Sequence, residues 1–152
     1  MSTMPATKPL LESQPILIVE DSPDDFEATK RAFTKANLRN RIHRAESGEE
    51  ALSFLRDEAN PRPGIILLDL NMPGLDGRKT LEIIKQTRAL QSIPVVILTT
   101  SNDERDVEAC YKLGANTYIQ KPVDFDGLIA AIRRLKEYWF EIAILPKDGE
   151  NG

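Results

Sequence analysis

Five side chains stand out as a possible chemical set: Glu20, Asp21, Asp69, Thr99 and Lys121. Taken singly, each has an ordinary explanation. Asp69 could cap the next helix, Thr99 could be a strand-end turn residue, and Lys121 could be a solvated surface lysine. Taken together they describe a site. Three carboxylates within a few ångströms of one another repel, by up to roughly 4 kcal/mol per pair at an effective dielectric of 20. Something must compensate. Oxygen donors without His or Cys suit a hard cation, and Mg²⁺ in particular accepts few protein carboxylates together with water and phosphate oxygens. An Asp beside such a cation and a lysine is equipped for phosphoryl transfer, which needs an in-line nucleophile and neutralisation of the transferred charge. The set therefore assigns Asp69 as nucleophile and Asp21 as main metal ligand, with Glu20 acting through a metal-bound water. The backbone carbonyl of Asn71 completes the coordination, while Thr99 and Lys121 each take a phosphate oxygen.

The elements that must deliver these residues can be read from the pattern of apolar runs. Ile65-Ile66-Leu67-Leu68 has the continuous aliphatic character of a strand buried on both faces, as in a parallel sheet, and it ends in Asp69. Ile16-Leu17-Ile18-Val19 is a similar run ending in Glu20-Asp21. Pro94 to Leu98 is a third, ending in Thr99-Thr100-Ser101, and Thr117 to Gln120 is a shorter one ending in Lys121-Pro122. Arg41 to Ala45 is more polar and belongs at an edge. Helices fill the intervals. Ser22-Pro23-Asp24-Asp25 starts one that runs to about Asn37, with Phe26, Thr29, Phe33 and Ala36 on one face. Ser47-Gly48-Glu49-Glu50 is a capping box ahead of Ala51, Leu52 and Leu55. A third helix spans about Gly77 to Ala89. A fourth follows Asn102-Asp103-Glu104, carries Val107, Cys110 and Tyr111, and is closed by Gly114. Asp124 caps the last, whose inward residues are Phe125, Leu128, Ile132 and Leu135. Five strand–helix units with short connections imply an α/β doubly wound (βα)5 parallel sheet, flavodoxin-like, in strand order 2-1-3-4-5. In that order the first and third strands flank the switch point, where ligands bind.

The 152 residues suffice for one domain, and a net charge of −4 lacks the basic excess of a nucleic-acid binder. One cysteine excludes an internal disulfide framework, and burial is the simplest role for Cys110. No apolar run reaches the roughly 20 residues of a membrane span, and the start has no signal-peptide core. The expectation is a cytoplasmic protein with a flexible tail over 1–14, one domain over 15–139 and an apolar extension and tail over 140–152.

The sequence resembles the receiver domain of two-component response regulators. The resemblance is carried by Glu20-Asp21, Asp69-Leu70-Asn71-Met72-Pro73, Gly77, Thr99 and Lys121-Pro122, with Thr99 and Lys121 standing 30 and 52 residues after Asp69. It implies that Asp69 takes a phosphoryl group from a histidine of a sensor kinase, that the protein is a phosphoacceptor rather than a turnover enzyme, and that Lys121-Pro122 is a cis peptide. Glu20 departs from the commoner Asp at the first acid position. His43, the only histidine, falls in the edge strand away from the rim, so the phosphoryl donor must be another molecule. Tyr118 stands where the family often has an aromatic. The resemblance implies that Thr99 moves toward the phosphate and Tyr118 follows, altering the face of the fourth helix, fifth strand and fifth helix.

The run Tyr138-Trp139-Phe140-Glu141-Ile142-Ala143-Ile144-Leu145-Pro146 is apolar on nearly every side. Folding back on the domain is one outcome. The reading preferred is a partner or homodimer surface formed by Tyr138, Trp139, Phe140, Ile142 and Leu145. This ending, the proline-bearing loop before Ile65 and the lack of an output domain resemble the small regulators paired with bacterial, cyanobacterial-type phytochromes. That implies a light-sensing histidine kinase as donor. Two rivals are a Mg²⁺-dependent aspartyl-phosphate hydrolase of the haloacid-dehalogenase type and a receiver-like adaptor that takes no phosphate. The first would carry Asp-x-Asp and a cap domain, whereas Asn71 occupies the second acid position here. The complete acid, Thr and Lys set argues against the second.

Overall fold

The computed structural model describes residues 14–142. Five strands alternate with five helices: β1 (Ile16–Val19), α1 (Pro23–Lys35), β2 (Ile42–Ala45), α2 (Gly48–Arg56), β3 (Ile65–Leu68), α3 (Gly77–Gln86), β4 (Val95–Thr99), α4 (Glu104–Lys112), β5 (Thr117–Gln120) and α5 (Phe125–Lys136). All four pairings are parallel and the order is β2-β1-β3-β4-β5. This is the flavodoxin-like arrangement expected from the sequence.

Burial explains the strand assignments. Every residue of β1, β3 and β4 is buried, while β2 and β5, the two edges, are mostly half-exposed. Alternate side chains feed two separate cores. Leu17, Val19, Ile66, Leu68 and Ile97 pack with Leu52, Leu81, Ile84 and Cys110 from α2, α3 and α4. Ile16, Ile18, Ile65, Leu67 and Val96 pack with Phe33, Leu128 and Ile132 from α1 and α5. A one-residue slip of any central strand would exchange the two sets, so the register is strongly specified.

That register levels the strand ends. Val19 pairs with Leu68, Leu68 with Ile97, and Thr99 with Gln120. Glu20, Asp69, Thr99 and Lys121 therefore emerge on one rim.

Helix starts follow the capping chemistry of the sequence at four of five positions. Ser22, Ser47, Asp76 and Asp103 each accept a backbone N–H of the first turn, and Glu50 reaches back to the Glu46 N–H at 3.1 Å. Asp124 occupies the fifth N-cap position but makes no side-chain capping bond. Two helices end in Schellman turns. Gly114, at φ 108°, donates to the Tyr111 carbonyl while Ala115 donates to Cys110; Asn37, at φ 64°, plays the same part after α1, with Leu38 donating to Phe33. This is why α1 stops at Lys35, short of the expected Asn37. The third helix also stops early, at Gln86 rather than Ala89, because Thr87 turns extended at φ −94°, ψ 116°.

Two further expectations are corrected. The Lys121-Pro122 bond is trans, as is every peptide bond among the described residues; trans is the favoured isomer even before proline. Trp139 is buried in its own domain, in the core that holds Ile132 and Leu135. The chain leaves α5 through a π-helical turn over Glu137–Ile142, which turns Trp139 inward and leaves Tyr138 52% exposed. Residues 1–13 and Leu145 lie outside the described residues, so the expected N-terminal tail and the end of the apolar run do too.

Candidate functional site

The rim begins with β1. Beyond Val19 the chain makes one more sheet bond, from the Glu20 N–H to the Ala45 carbonyl at 2.9 Å, and then turns into α1. Beyond β3 the Asp69 N–H donates to the Val19 carbonyl at 3.1 Å, tying the two acid-bearing strand ends together. The result is one cluster: Glu20, Asp21 and Asp69 each present a carboxylate oxygen within 4.8 Å of the others. An all-oxygen set this compact has the donor type and spacing for a hard divalent cation.

The three acids differ in environment. Glu20 is 4% exposed, whereas Asp21 and Asp69 are half-buried. Burial raises the Glu20 carboxyl above its ordinary value, against the opposing effect of a hydrogen bond from Lys121. Lys121 Nζ lies 2.9 Å from Glu20 Oε1 and 3.4 Å from Asp25 Oδ2. Burial works to lower the lysine, but its hydrogen bond to Glu20 and the charges of Glu20, Asp69 and Asp25 outweigh that and hold it above its ordinary value. The other Glu20 oxygen accepts the Ser22 N–H at 3.2 Å. Glu20 is thus fastened at both oxygens, and Lys121 is engaged with Glu20 rather than hydrogen-bonded to Asp69.

Thr99, fully buried at the end of β4, faces Asn71, whose Nδ2 lies 3.5 Å from the Thr99 hydroxyl. The Asn71 N–H lies at the same distance from Asp69 Oδ1. Both contacts are long and weak, which leaves the Asp69 carboxylate and the Thr99 hydroxyl available to another group.

Tyr118 is half-buried, and its hydroxyl donates to the Ser101 carbonyl at 3.0 Å. The loop holding that carbonyl is itself pinned. Ser101 Oγ donates to Asp106 Oδ2 at 2.7 Å, and Arg78 donates to Asp106 Oδ1 at 2.6 and 3.1 Å. Hydrogen bonds from Arg78 and Ser101 hold the Asp106 carboxyl below its ordinary value. A network thus joins the start of α3, α4 and β5 through one loop.

Sequence reasoning missed three participants: Asp25 beside Lys121, and the pair Arg78 and Asp106. A helical charge pattern offers nothing to single them out, because their partners lie on other elements. His43 is as expected away from the rim, in β2, with its ring 4.9 Å from that of Phe54. Cys110 is fully buried.

Comparison with known proteins decides the family. The model of the response regulator receiver domain matches residues 16–133. The chain belongs to that family. It is therefore a receiver, a phosphoacceptor module of signal transduction, rather than a hydrolase of the haloacid-dehalogenase type. Response regulator Rcp1 of Synechocystis is 39% identical over 142 residues, covering 89% of this chain and 97% of that protein. The phosphorylated cyanobacterial phytochrome response regulator RcpA superposes with a TM-score of 0.82 at 37% identity, over 89% of this chain and 99% of that one. The Mn²⁺-bound form of Rcp1 gives 0.81 at 38% identity, over 88% and 99%. The receiver is thus homologous to phytochrome response regulators. No helix among the described residues is long and apolar enough to cross a membrane.

Proposed function

We propose that this receiver accepts a phosphoryl group on Asp69 from a phosphohistidine of a light-sensing, phytochrome-type histidine kinase. The convergence of the Glu20, Asp21 and Asp69 carboxylate oxygens within 4.8 Å, beside the Lys121 ammonium, carries the reading. A carboxylate oxygen of Asp69 forms the new P–O bond as the P–N bond of the donor breaks, and the electron pair returns to the imidazole. Asp21 and Asp69 would hold Mg²⁺ directly, with Glu20 through water and the Asn71 carbonyl completing the set. The cation supplies charge neutralisation of the transferred group. Thr99 donates its hydroxyl to one phosphoryl oxygen, and Lys121 leaves Glu20 to pair with another. Movement of Thr99 toward the phosphoryl group frees space behind it and biases Tyr118 and the α4–β5–α5 face.

Output through a homodimer is part of the proposal. A groove lined by Thr117, Ile119, Ala131, Arg134, Leu135 and Tyr138, which the largely buried Trp139 also borders, runs between β5 and the end of α5, and the apolar residues Phe140, Ile142 and Leu145 follow in the sequence. Homology to regulators named for phytochromes supports the choice of donor. Phosphotransfer from a candidate phytochrome kinase, compared between the wild type and Asp69→Asn, tests the central claim: label should reach the first alone. Label retained on a folded Asp69→Asn protein defeats it, as would absence of label on the wild type with kinase, Mg²⁺ and ATP present. Sizing of the bare and phosphorylated chain tests the dimer, and a monomer in both states defeats that part.

A further inference from the structure

Past Val19 the backbone that carries both acids of β1 leaves the sheet. β2 ends at Ala45, and the last bond it gives this strand goes to the Glu20 N–H. The carbonyls of Glu20 and Asp21 have no strand partner there, and one side chain supplies the donors the sheet does not. Arg44, on β2, donates from Nε to the Glu20 carbonyl at 3.2 Å and from Nη2 to the Asp21 carbonyl at 3.1 Å. Its guanidinium stands over the Phe26 ring, 5.1 Å from the centroid, and its side chain is 21% exposed. Its contact with Glu46 is long, 3.9 Å, and that carboxylate is well exposed, so Glu46 does not draw the guanidinium away.

We infer that Arg44 is a positioning residue for the cation site: by bonding two consecutive carbonyls it fixes the peptide planes that aim the Glu20 and Asp21 carboxylates toward Asp69. It touches neither the cation nor the phosphoryl group. The inference rests on the metal role proposed above for Asp21 and Glu20. The rigid fork of a guanidinium suits the task, since it can span adjacent carbonyls while lying flat on an aromatic ring. An ammonium in its place has the charge but not the fork, and Lys reaches one carbonyl at a time. Partners that orient metal ligands from outside the first coordination sphere typically change affinity about 10- to 100-fold when removed.

The test uses Mn²⁺ as probe on the full chain, titrated by the loss of the free-ion electron paramagnetic resonance signal. Arg44→Ala should weaken binding about 10-fold, and Arg44→Lys should recover part of that loss. Phe26→Leu, which removes the ring but leaves the guanidinium donors, should lower thermal stability while keeping affinity within about twofold of wild type. This split is what a merely structural role would not produce. The inference is overturned if folded Arg44→Ala binds Mn²⁺ as tightly as wild type, or if the affinities of the three variants follow their thermal midpoints. Should Arg44→Ala not fold, Arg44→Lys against Phe26→Leu still decides. Asp21→Asn separates the two levels. If it too binds like wild type, the metal reading itself falls; if it loses binding while Arg44→Ala keeps it, only the role of Arg44 falls.

Discussion

Gly77, the first residue of α3, faces the backbone of Asp69 and Leu70 at close range, and replacing it with Ala tests how the site is held. A Cβ there would stand 2.3 Å from the Asp69 carbonyl oxygen and 2.6 Å from the Leu70 Cα. Such contacts are not tolerated, and the obstructing atoms are backbone, so no side chain can swing aside. Relieving the first to about 3.0 Å needs a shift of about 0.7 Å between α3 and the end of β3. Both are anchored: the Gly77 N–H donates to the Leu70 carbonyl at 3.1 Å, and the Asp69 N–H to Val19. Overpacking with side-chain obstacles costs roughly 1–3 kcal/mol, and a backbone obstacle places Gly77→Ala at the top of that range, about 3 kcal/mol. With a urea slope of about 2 kcal/mol/M, the unfolding midpoint should fall by about 1.5 M. Because about 1 Å of misplacement can cost on the order of 100-fold in rate, labelling of the folded fraction by acetyl phosphate should slow by roughly tenfold or more. Gly74→Ala is the comparison. Gly74 sits at φ 74° but its Cβ would meet only the flexible Glu49 carboxylate at 3.4 Å, so the cost is backbone strain of about 1–2 kcal/mol. A Gly77→Ala protein within 0.5 kcal/mol of wild type, or less affected than Gly74→Ala, would refute the close-approach argument.

Two further substitutions probe the charges. Lys121→Ala strips the buried Glu20 of its cation, a loss expected to cost roughly 3 kcal/mol at neutral pH, less where the carboxyl takes up a proton. Since the folded Glu20 value is raised from 4.5 and rises further without Lys121, the native state binds the extra proton. The penalty should be small below pH 4.5 and grow as pH rises through the folded value, and Glu20→Gln in the same chain should remove most of it. Denaturant curves between pH 4 and 7 check this, and a penalty independent of pH would contradict it. Arg78→Ala and Asp106→Ala should each destabilise by about 1 kcal/mol, with a double-mutant coupling of similar size. Because the Asp106 carboxyl is held below its ordinary 3.8, that coupling should persist above pH 4 and vanish as pH falls through the depressed value. Additive effects at pH 7 would mean that the bridge holds nothing.

The parts of the molecule legible in its sequence are those governed by local rules. Three continuous aliphatic runs must be buried on both faces, and each ends where a polar residue begins. Serine and aspartate N-caps mark helix starts because their oxygens reach N–H groups three residues or fewer away. The rim followed from the topology: once the strands are parallel and in register, their C-terminal residues must meet. What could not be read depends on where side chains of different elements cross. Arg44 sits in a polar edge strand, and nothing in Ile42-His43-Arg44-Ala45 marks it as the donor for carbonyls 23 and 24 residues earlier. Arg78 and Asp106 are 28 residues apart on separate helices. Trp139 lay in a run apolar all round, where periodicity cannot say which side chain turns inward; the π-helical turn after Lys136 decides it.

The Glu at position 20 acquires a meaning in the structure that its resemblance to an Asp concealed. Its chain is one methylene longer, and its two oxygens are taken by Lys121 and by the Ser22 N–H. Lys121, the cation proposed to meet the phosphoryl group, is thereby held at the edge of the acid cluster with Asp25 as a second partner. In the proposed mechanism phosphorylation adds negative charge at Asp69, and Lys121 follows that charge by leaving Glu20. A buried carboxylate deserted by its lysine is costly, so Glu20 must then take a proton or turn to the cation. On the proposed roles, recruitment of the cation through Glu20 and release of Lys121 become one event. Binding the divalent ion should therefore loosen the Lys121–Glu20 pair before any phosphate arrives, and a Lys121 Nζ resonance unmoved by Mg²⁺ would uncouple the two.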